Sequence, residues 1–324
     1  MNSLKVLRGS NITTLTLFAS FAVMCLFFAA QTPFFLTSGN LQTIISTLAV
    51  NGIPAIGMTL VLITGGVDIS VGSVAALTGV VTSLLWLQYG IPLGISALIG
   101  LLSGGLVGFI NGSLVTLLKI NPLITTLGTF SVVRGLAFVF SEGQTNLLSN
   151  EAFQFLGRGQ ILNIPFSLLC MIALYAVFSL LLYHTAFGRN LYMIGGSAEA
   201  SRLAGIAVTR HLLVVYTVSG LLAAFSGLIS VSQLASSAPR AATGLEFTVI
   251  TAVVLGGTSM AGGKGTLIGT LVGVIILRTL DNGLVLIQVS SFWQDFARGL
   301  VLVLAVGFDQ IRARLTGRMK RRAV

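Results

Sequence analysis

The chain of 324 residues carries very little charge, with Asp, Glu, Lys and Arg together making up 8%, whereas an ordinary soluble domain has roughly 25%. That scarcity excludes a water-facing surface of the usual kind. Histidine is rarer still, limited to His184 and His211, and cysteine to Cys25 and Cys170, both inside apolar runs. Two histidines bracketing one polar loop lack the spacing of a zinc site. No Cys–His pair, Ser–His–Asp set or paired intramembrane carboxylates can be assembled for nucleophilic chemistry or a proton relay. A metal centre, an enzyme active site and a disulfide are therefore not expected.

Apolar residues fill the space that charge leaves. They make up 55% of the chain, and the mean hydropathy is +0.99. This is the composition of an integral membrane protein. The length would suggest about two soluble domains, but each crossing needs only about 20 apolar residues, so a single domain over 1–324 absorbs the chain. Uninterrupted apolar runs place spans near 14–35, 41–64, 71–88, 91–118, 123–141, 164–184, 212–233, 245–256, 265–282 and 293–310. The expected fold is all-α: a polytopic membrane bundle over 14–310 with about ten transmembrane helices, some broken or re-entrant at glycine-rich segments. The eighth run is too short to cross alone, so it is a broken helix or continues from the preceding loop. The first run follows Lys5 and Arg8 without a small-residue cleavage site, which favours a retained helix over a signal peptide.

Cations fix the orientation. With the N-terminus inside, the internal segments hold Lys5, Arg8, Lys119, Arg189, Arg202, Arg210, Lys264 and a basic tail over 311–324, whereas external loops hold only Arg158 and Arg240. The positive-inside rule selects this topology, with both termini cytoplasmic. The net charge of +10 is then a topology signature rather than a nucleic-acid footprint, and the tail lies against anionic lipid headgroups. Arg134, Arg278 and Arg298 fall near span ends and are expected to snorkel to the interface.

The stretch VVLGGTSMAGGKGTLIG over 253–269 superficially looks like a phosphate-binding loop. That motif requires Gly, four residues, Gly, Lys and then Ser or Thr. Aligned on Gly263 and Lys264, its first position is Thr258 and its last is Gly265, so both ends fail. The stretch reads instead as one of two glycine-rich breaks. Gly65, Gly66, Asp68 and Gly72 form the first, and Gly256, Gly257 and Gly265 belong to the second. Irregular backbone at membrane depth is tolerated only where protein or a water-filled cavity covers it, and paired breaks mark transport regions. Tight internal turns are the plainer reading. Asp68 is either a helix cap or a substrate ligand. Gly100, Gly104, Gly108 and Gly112 form a stripe of fourfold spacing, as do Gly265, Gly269 and Gly273, which suits close helix packing. Asn51, Asn111, Thr129, Gln233 and Asn282 are polar positions within spans. They suit a path for a neutral hydroxyl-rich solute, or equally hydrogen bonds between helices.

The longest polar internal stretch is HTAFGRNLYMIGGSAEASRLAGIAVTRH, within a loop over 185–211. In it Glu199-Ala200-Ser201, three residues and Gly205 form a short helical unit closed by glycine, which allows close approach of a partner. The unit resembles the Glu-Ala-Ala-x-x-x-Gly signature by which permease subunits of ABC importers engage their ATPase, departing only at Ser201. The segments GMTLVLITGGVDISVGSVAALTG, GRNLYMIGGSAEASRLAGI, AVVLGGTSMAGGKGTLIGTL and DNGLVLIQVSSFWQ are similar to ribose-type sugar permeases in order and spacing. The resemblance implies a coupling loop made by Gly188, Arg189, Gly196, Glu199, Ala200, Ser201, Arg202 and Gly205. It also implies a non-enzymatic transport subunit in a bacterial cytoplasmic (inner) membrane. ATP-Mg would be bound by a separate cytoplasmic ABC ATPase and no cofactor by this chain. A periplasmic or extracellular sugar-binding protein, a second permease subunit and membrane lipids would be its partners, and nucleic acid would not. Ribose or a similar monosaccharide is the implied cargo. Another small polar solute, such as a furanose, a nucleoside or a sugar-like signal, is the alternative, and an ion-driven carrier or channel is a further one.

Overall fold

The computed structural model describes the backbone of residues 19–321 and the side chains of residues 19–307. Lys5, Arg8, the start of the first expected span and the side chains of the basic tail lie outside the described residues. Every apolar run read from the sequence holds a helix. In chain order these are α1 (Ala19–Gln31), α2 (Ser38–Ile63), α3 (Val71–Leu87), α4 (Leu93–Thr116), α5 (Pro122–Ser141), α6 (Glu151–Arg158) and α7 (Phe166–His184). They continue with α8 (Ala186–Gly196), α9 (Ala198–Leu203), α10 (Val208–Leu234), α11 (Leu245–Leu255), α12 (Leu267–Leu286) and α13 (Ser291–Arg321). Two small antiparallel pairs complete the description: β1 (Asn146–Leu147) with β4 (Ser236–Ser237), and β2 (Gln160–Ile161) with β3 (Ile164–Pro165).

The expected count of about ten crossings is confirmed only in part among the described residues. Among the described residues six helices, α2, α4, α5, α7, α10 and α12, are long and apolar enough to cross a membrane, while α1, α3 and α11 are shorter apolar helices. An apolar run reports burial without saying whether lipid or protein covers it. Nearly all of α11 is enclosed by its neighbours, and such a helix is as apolar as a full crossing.

Helix starts follow local chemistry. Asn121 caps α5 ahead of Pro122, at a position where the missing proline N–H costs nothing. Thr185 caps α8 and Ser197 caps α9, each accepting from a backbone N–H three residues on. In the core, α10 packs most extensively against α4, then against α2 and α3. The fourfold glycine stripe of α4 creates this contact. A Cβ on Gly104 would meet Ala224 and the Gly220 carbonyl, and one on Gly108 would fall on the Tyr216 carbonyl. In the second stripe Gly269 and Gly273 abut Gly256 and Ala252 in the same way, drawing α12 against the end of α11.

The connections gather at two ends of this bundle. At one end the 64–70 turn, the C-terminus of α8 and the 256–266 loop meet. At the other, β1 pairs with β4, the Ser83 and Ser237 hydroxyls share a 2.6 Å hydrogen bond, and Arg158 donates to the Gln233 carbonyl at 2.7 Å. These are the two sets into which the cation distribution sorts the loops.

Candidate functional site

Both glycine-rich breaks and the proposed coupling loop share one backbone junction. The Gly263 N–H donates to the Ile63 carbonyl at 2.8 Å. A Cβ on Gly195 would fall on the Ile63 oxygen and the Gly263 nitrogen, and one on Gly262 would lie 2.8 Å from the Gly195 carbonyl and 3.0 Å from the Gly65 backbone. Gly65 has φ +83, a conformation that L side chains rarely adopt. Tyr192 on α8 donates to the Gly265 carbonyl at 2.9 Å, and the Leu267 N–H donates to the Tyr183 hydroxyl at 3.1 Å. Burial, and then the neighbouring Tyr183, pushes the Tyr192 phenol up to about 12, so it remains a donor throughout the physiological range. Thr266, one residue beyond the apparent phosphate loop, caps α12 by accepting from Gly269 N–H at 3.0 Å. Lys264 is exposed, and its carbonyl closes a turn with the Ser259 N–H.

The α8–α9 unit presents a mixed surface. Gly188 is buried where a Cβ would collide with the Leu182 backbone. Arg189, Gly196, Glu199, Ala200, Arg202 and Gly205 are exposed. Ser201, the one departure from the signature, is buried and donates to the Ser197 carbonyl at 2.8 Å, so its hydroxyl is satisfied within the unit. Gly205 ends the helix with φ +82 and open space where a Cβ would sit. Two residues went unnoticed in the sequence: Leu203, 87% exposed, and Met193, 50% exposed. Leu203 directly follows the charged Arg202 in the signature unit, and that was the available signal.

Asp68 is 1% exposed and fully engaged. One oxygen accepts from the Ser70 N–H at 3.1 Å and the Ser70 hydroxyl at 2.6 Å, and the other from the Ser219 hydroxyl at 2.7 Å. Asn111 then donates to the Ser70 hydroxyl at 2.9 Å. The carboxylate thus organises the turn before α3 and ties it to α4 and α10. Gly66 and Gly72 leave room for neighbours, since a Cβ on the first would fall on the Tyr216 hydroxyl and on the second on the Glu246 carboxylate.

The five polar span positions do not converge. Asn111 belongs to the Asp68 network, Gln233 donates to the Ser46 carbonyl at 2.7 Å, and Asn282 exchanges two hydrogen bonds with Asn40 at 2.8 and 3.0 Å. Thr129 bonds to carbonyls of its own helix, and Asn51 is buried in α2. Three of the five therefore join helices.

Arg134, Arg278 and Arg298, expected to reach for the interface, each find partners inside the protein. Arg298 donates to Asp281 at 2.8 Å and to Asp295 at 2.9 Å, and Arg278 lies 3.6 Å from Asp281. Arg134 donates through Nη1 to the carbonyls of Pro239 and Ala241, both at 2.7 Å. Glu246, in the first turn of α11, is 2% exposed; it was overlooked although a carboxylate in so apolar a run is itself a signal.

Comparison with known proteins adds sequence kinship to this geometry. The pattern of a family described as "Branched-chain amino acid transport system / permease component" matches residues 40–306. The ribose import permease protein RbsC of Bacillus subtilis (strain 168) is 40% identical over 90% of this chain and 91% of its own. The L-arabinose ABC transporter permease protein AraH of Azospirillum brasilense is 40% identical, covering 93% and 88%. The probable ABC transporter permease protein YphD of Escherichia coli (strain K12) is 38% identical, covering 98% and 96%. No solved structure matches the chain.

Proposed function

The chain belongs to the branched-chain amino acid transport system / permease component family, and from that premise we propose that it is the membrane-spanning subunit of an ATP-driven importer of ribose or a similar monosaccharide. One observation carries the reading: about 40% identity, over some nine-tenths of both chains, to permeases named for ribose and for L-arabinose. This subunit forms the substrate path and leaves ATP hydrolysis to a partner. A cytoplasmic ABC ATPase, an external sugar-binding protein and a second permease subunit complete the machine. Both termini face the cytoplasm of a bacterial inner membrane, with the shorter helices α1, α3 and α11 and the glycine-rich breaks completing the bundle.

The α8–α9 unit is the ATPase contact in this reading. Its exposed Leu203 and Met193, beside Glu199 and Arg202, suit a partner groove that buries apolar surface and registers charge. A ligand shifts an equilibrium only through contacts that differ between two states. ATP binding changes the partner's grip on α8–α9, and the junction of Gly195 with Ile63 and Gly263 passes the displacement to the ends of α2 and α12. The experiment is reconstitution with the ATPase and binding protein. ATP-dependent uptake of labelled D-ribose or L-arabinose is expected, and uptake that persists without the ATPase would show an ion-driven carrier or channel instead.

A further inference from the structure

Among the described residues three charged side chains have a buried, unused hydrogen-bonding atom, Arg278, Arg134 and Glu246, and the last two flank one loop. Ionisable groups at such depth are rare and mark either a partner or a function. Arg134 spends Nη1 on the Pro239 and Ala241 carbonyls, while its Nη2 is buried with no partner among the described residues. Glu246 spends Oε1 on the Gly244 N–H at 3.2 Å, while its Oε2 is likewise buried and unpartnered, beside Gly72. The loop brings the two together: Arg134 holds the Ala241 carbonyl, and the Cβ position of Gly72 lies against Glu246 Oε2 and 2.7 Å from the Ala242 carbonyl, yet no ion pair joins them; the ion pairs among the described residues all involve Asp281 or Arg298.

The loop between them is strained and undercut. Ala242 has φ +54 and Gly244 φ +82, and a cavity of about 30 Å³ lies beneath, lined by Ala75, Ser230, Ser236, Ala238, Ala241 and Ala242. That volume holds a water and nothing larger, so any bigger occupant requires the loop to move. Positive φ at a non-glycine residue is a cost that the surrounding contacts must sustain, and here the Arg134 bonds to the loop carbonyls sustain it.

A buried donor and a buried acceptor left unpaired each carry a desolvation penalty, and together they specify what relieves it. An anion meets Glu246 unfavourably and a cation meets Arg134 unfavourably. A vicinal diol satisfies both: one hydroxyl donates to Oε2 while its neighbour accepts from Nη2, and no net charge enters. We propose that Arg134 and Glu246 form a contact site for two neighbouring hydroxyls of the transported polyol, opened when the 238–244 loop swings away. This deepens the sugar-permease reading and rests on it.

The test crosses permease variants with sugar analogues in proteoliposomes holding the permease, its ATPase and its binding protein. Uptake of D-ribose, L-arabinose and their monodeoxy analogues is compared for the wild type, Glu246→Gln and Arg134→Lys. The binding protein is constant, so its own preference cancels in the ratios. Removal of one particular hydroxyl should lower wild-type uptake about tenfold or more, and Glu246→Gln should lose a similar factor with the complete sugar yet nothing further with that analogue. Arg134→Lys should show the same non-additivity at the adjacent hydroxyl. If one variant fails to fold, the other decides alone. Losses that simply multiply at every hydroxyl would overturn the proposal and leave the pair as a brace for the loop. A wild-type complex that takes up neither sugar would instead refute the sugar reading itself.

Discussion

Gly195 and Gly196 are adjacent at the end of α8, yet substitution by alanine should have opposite consequences. A methyl at Gly195 would fall on the Ile63 carbonyl oxygen and the Gly263 nitrogen, which are hydrogen-bonded to each other at 2.8 Å. Both obstacles are backbone, so neither yields by a rotamer change. The overpacking costs about 1–3 kcal/mol, and a buried N–H pushed off its acceptor adds about 1–3 kcal/mol. Gly195→Ala should therefore destabilise by about 2–6 kcal/mol in all. Gly196 has open space within 4 Å of its would-be Cβ, so Gly196→Ala should be neutral or stabilise by up to about 1 kcal/mol through helix propensity. Thermal unfolding of each variant in lipid nanodiscs separates the two, and ATPase stimulation by the binding protein reports coupling in the same samples. If Gly195→Ala unfolds with the wild type and retains full coupled uptake, the junction is not the contact described.

Tyr192→Phe removes the bond to the Gly265 carbonyl at 2.9 Å and should cost about 1 kcal/mol, with uptake falling more than basal ATP hydrolysis. Because the Tyr192 phenol is pushed from 10.0 to about 12, the folded state keeps that proton where the unfolded chain has lost it. Its contribution to stability should be complete below pH 10, disappear towards pH 12, and be absent from the alkaline unfolding profile of Tyr192→Phe. Ser219→Ala should cost about 1.5–3 kcal/mol, since it removes a donor from the charged Asp68, measured by the same unfolding assay. An Asn40–Asn282 double-mutant cycle should give a coupling of about 0.6 kcal/mol, the average for such pairs between membrane helices. With Cys25 and Cys170 replaced, a cysteine at exposed Arg240 should react with an impermeant thiol reagent on intact cells, and one at exposed Glu199 only after permeabilisation; labelling of both from outside would overturn the orientation.

Much of the framework was legible because local patterns determine it. Each apolar run became a helix, the α4 glycine stripe became the α4–α10 contact, and the unit closed by Gly205 became α9. What local pattern could not supply was tertiary partnership. Gly196 attracted notice where its neighbour Gly195 carries the contact, since only the approach of Ile63 and Gly263 distinguishes them. Arg134 read as a snorkelling cation because the carbonyls it binds belong to a loop beyond five intervening helices. The number of crossings was not fixed by hydropathy for a related reason: α11 is apolar where protein surrounds it, and hydropathy does not distinguish that from lipid.

The arginines at the junction of α12 and α13 bear on how the chain enters the membrane. Arg278 and Asp281 lie three residues apart on α12, and Asp295 and Arg298 three apart on α13. Each helix thus carries its own opposite charge one turn away before it has met the other. Either one can leave the insertion machinery electrically balanced, without the penalty of about 2.5–3.5 kcal/mol that a bare arginine incurs at mid-bilayer. The bond from Arg298 to Asp281 at 2.8 Å has a different standing, because it exists only once the hairpin has closed. Insertion is thereby uncoupled from assembly: the short-range pairs serve the first, and the long-range one rewards the second.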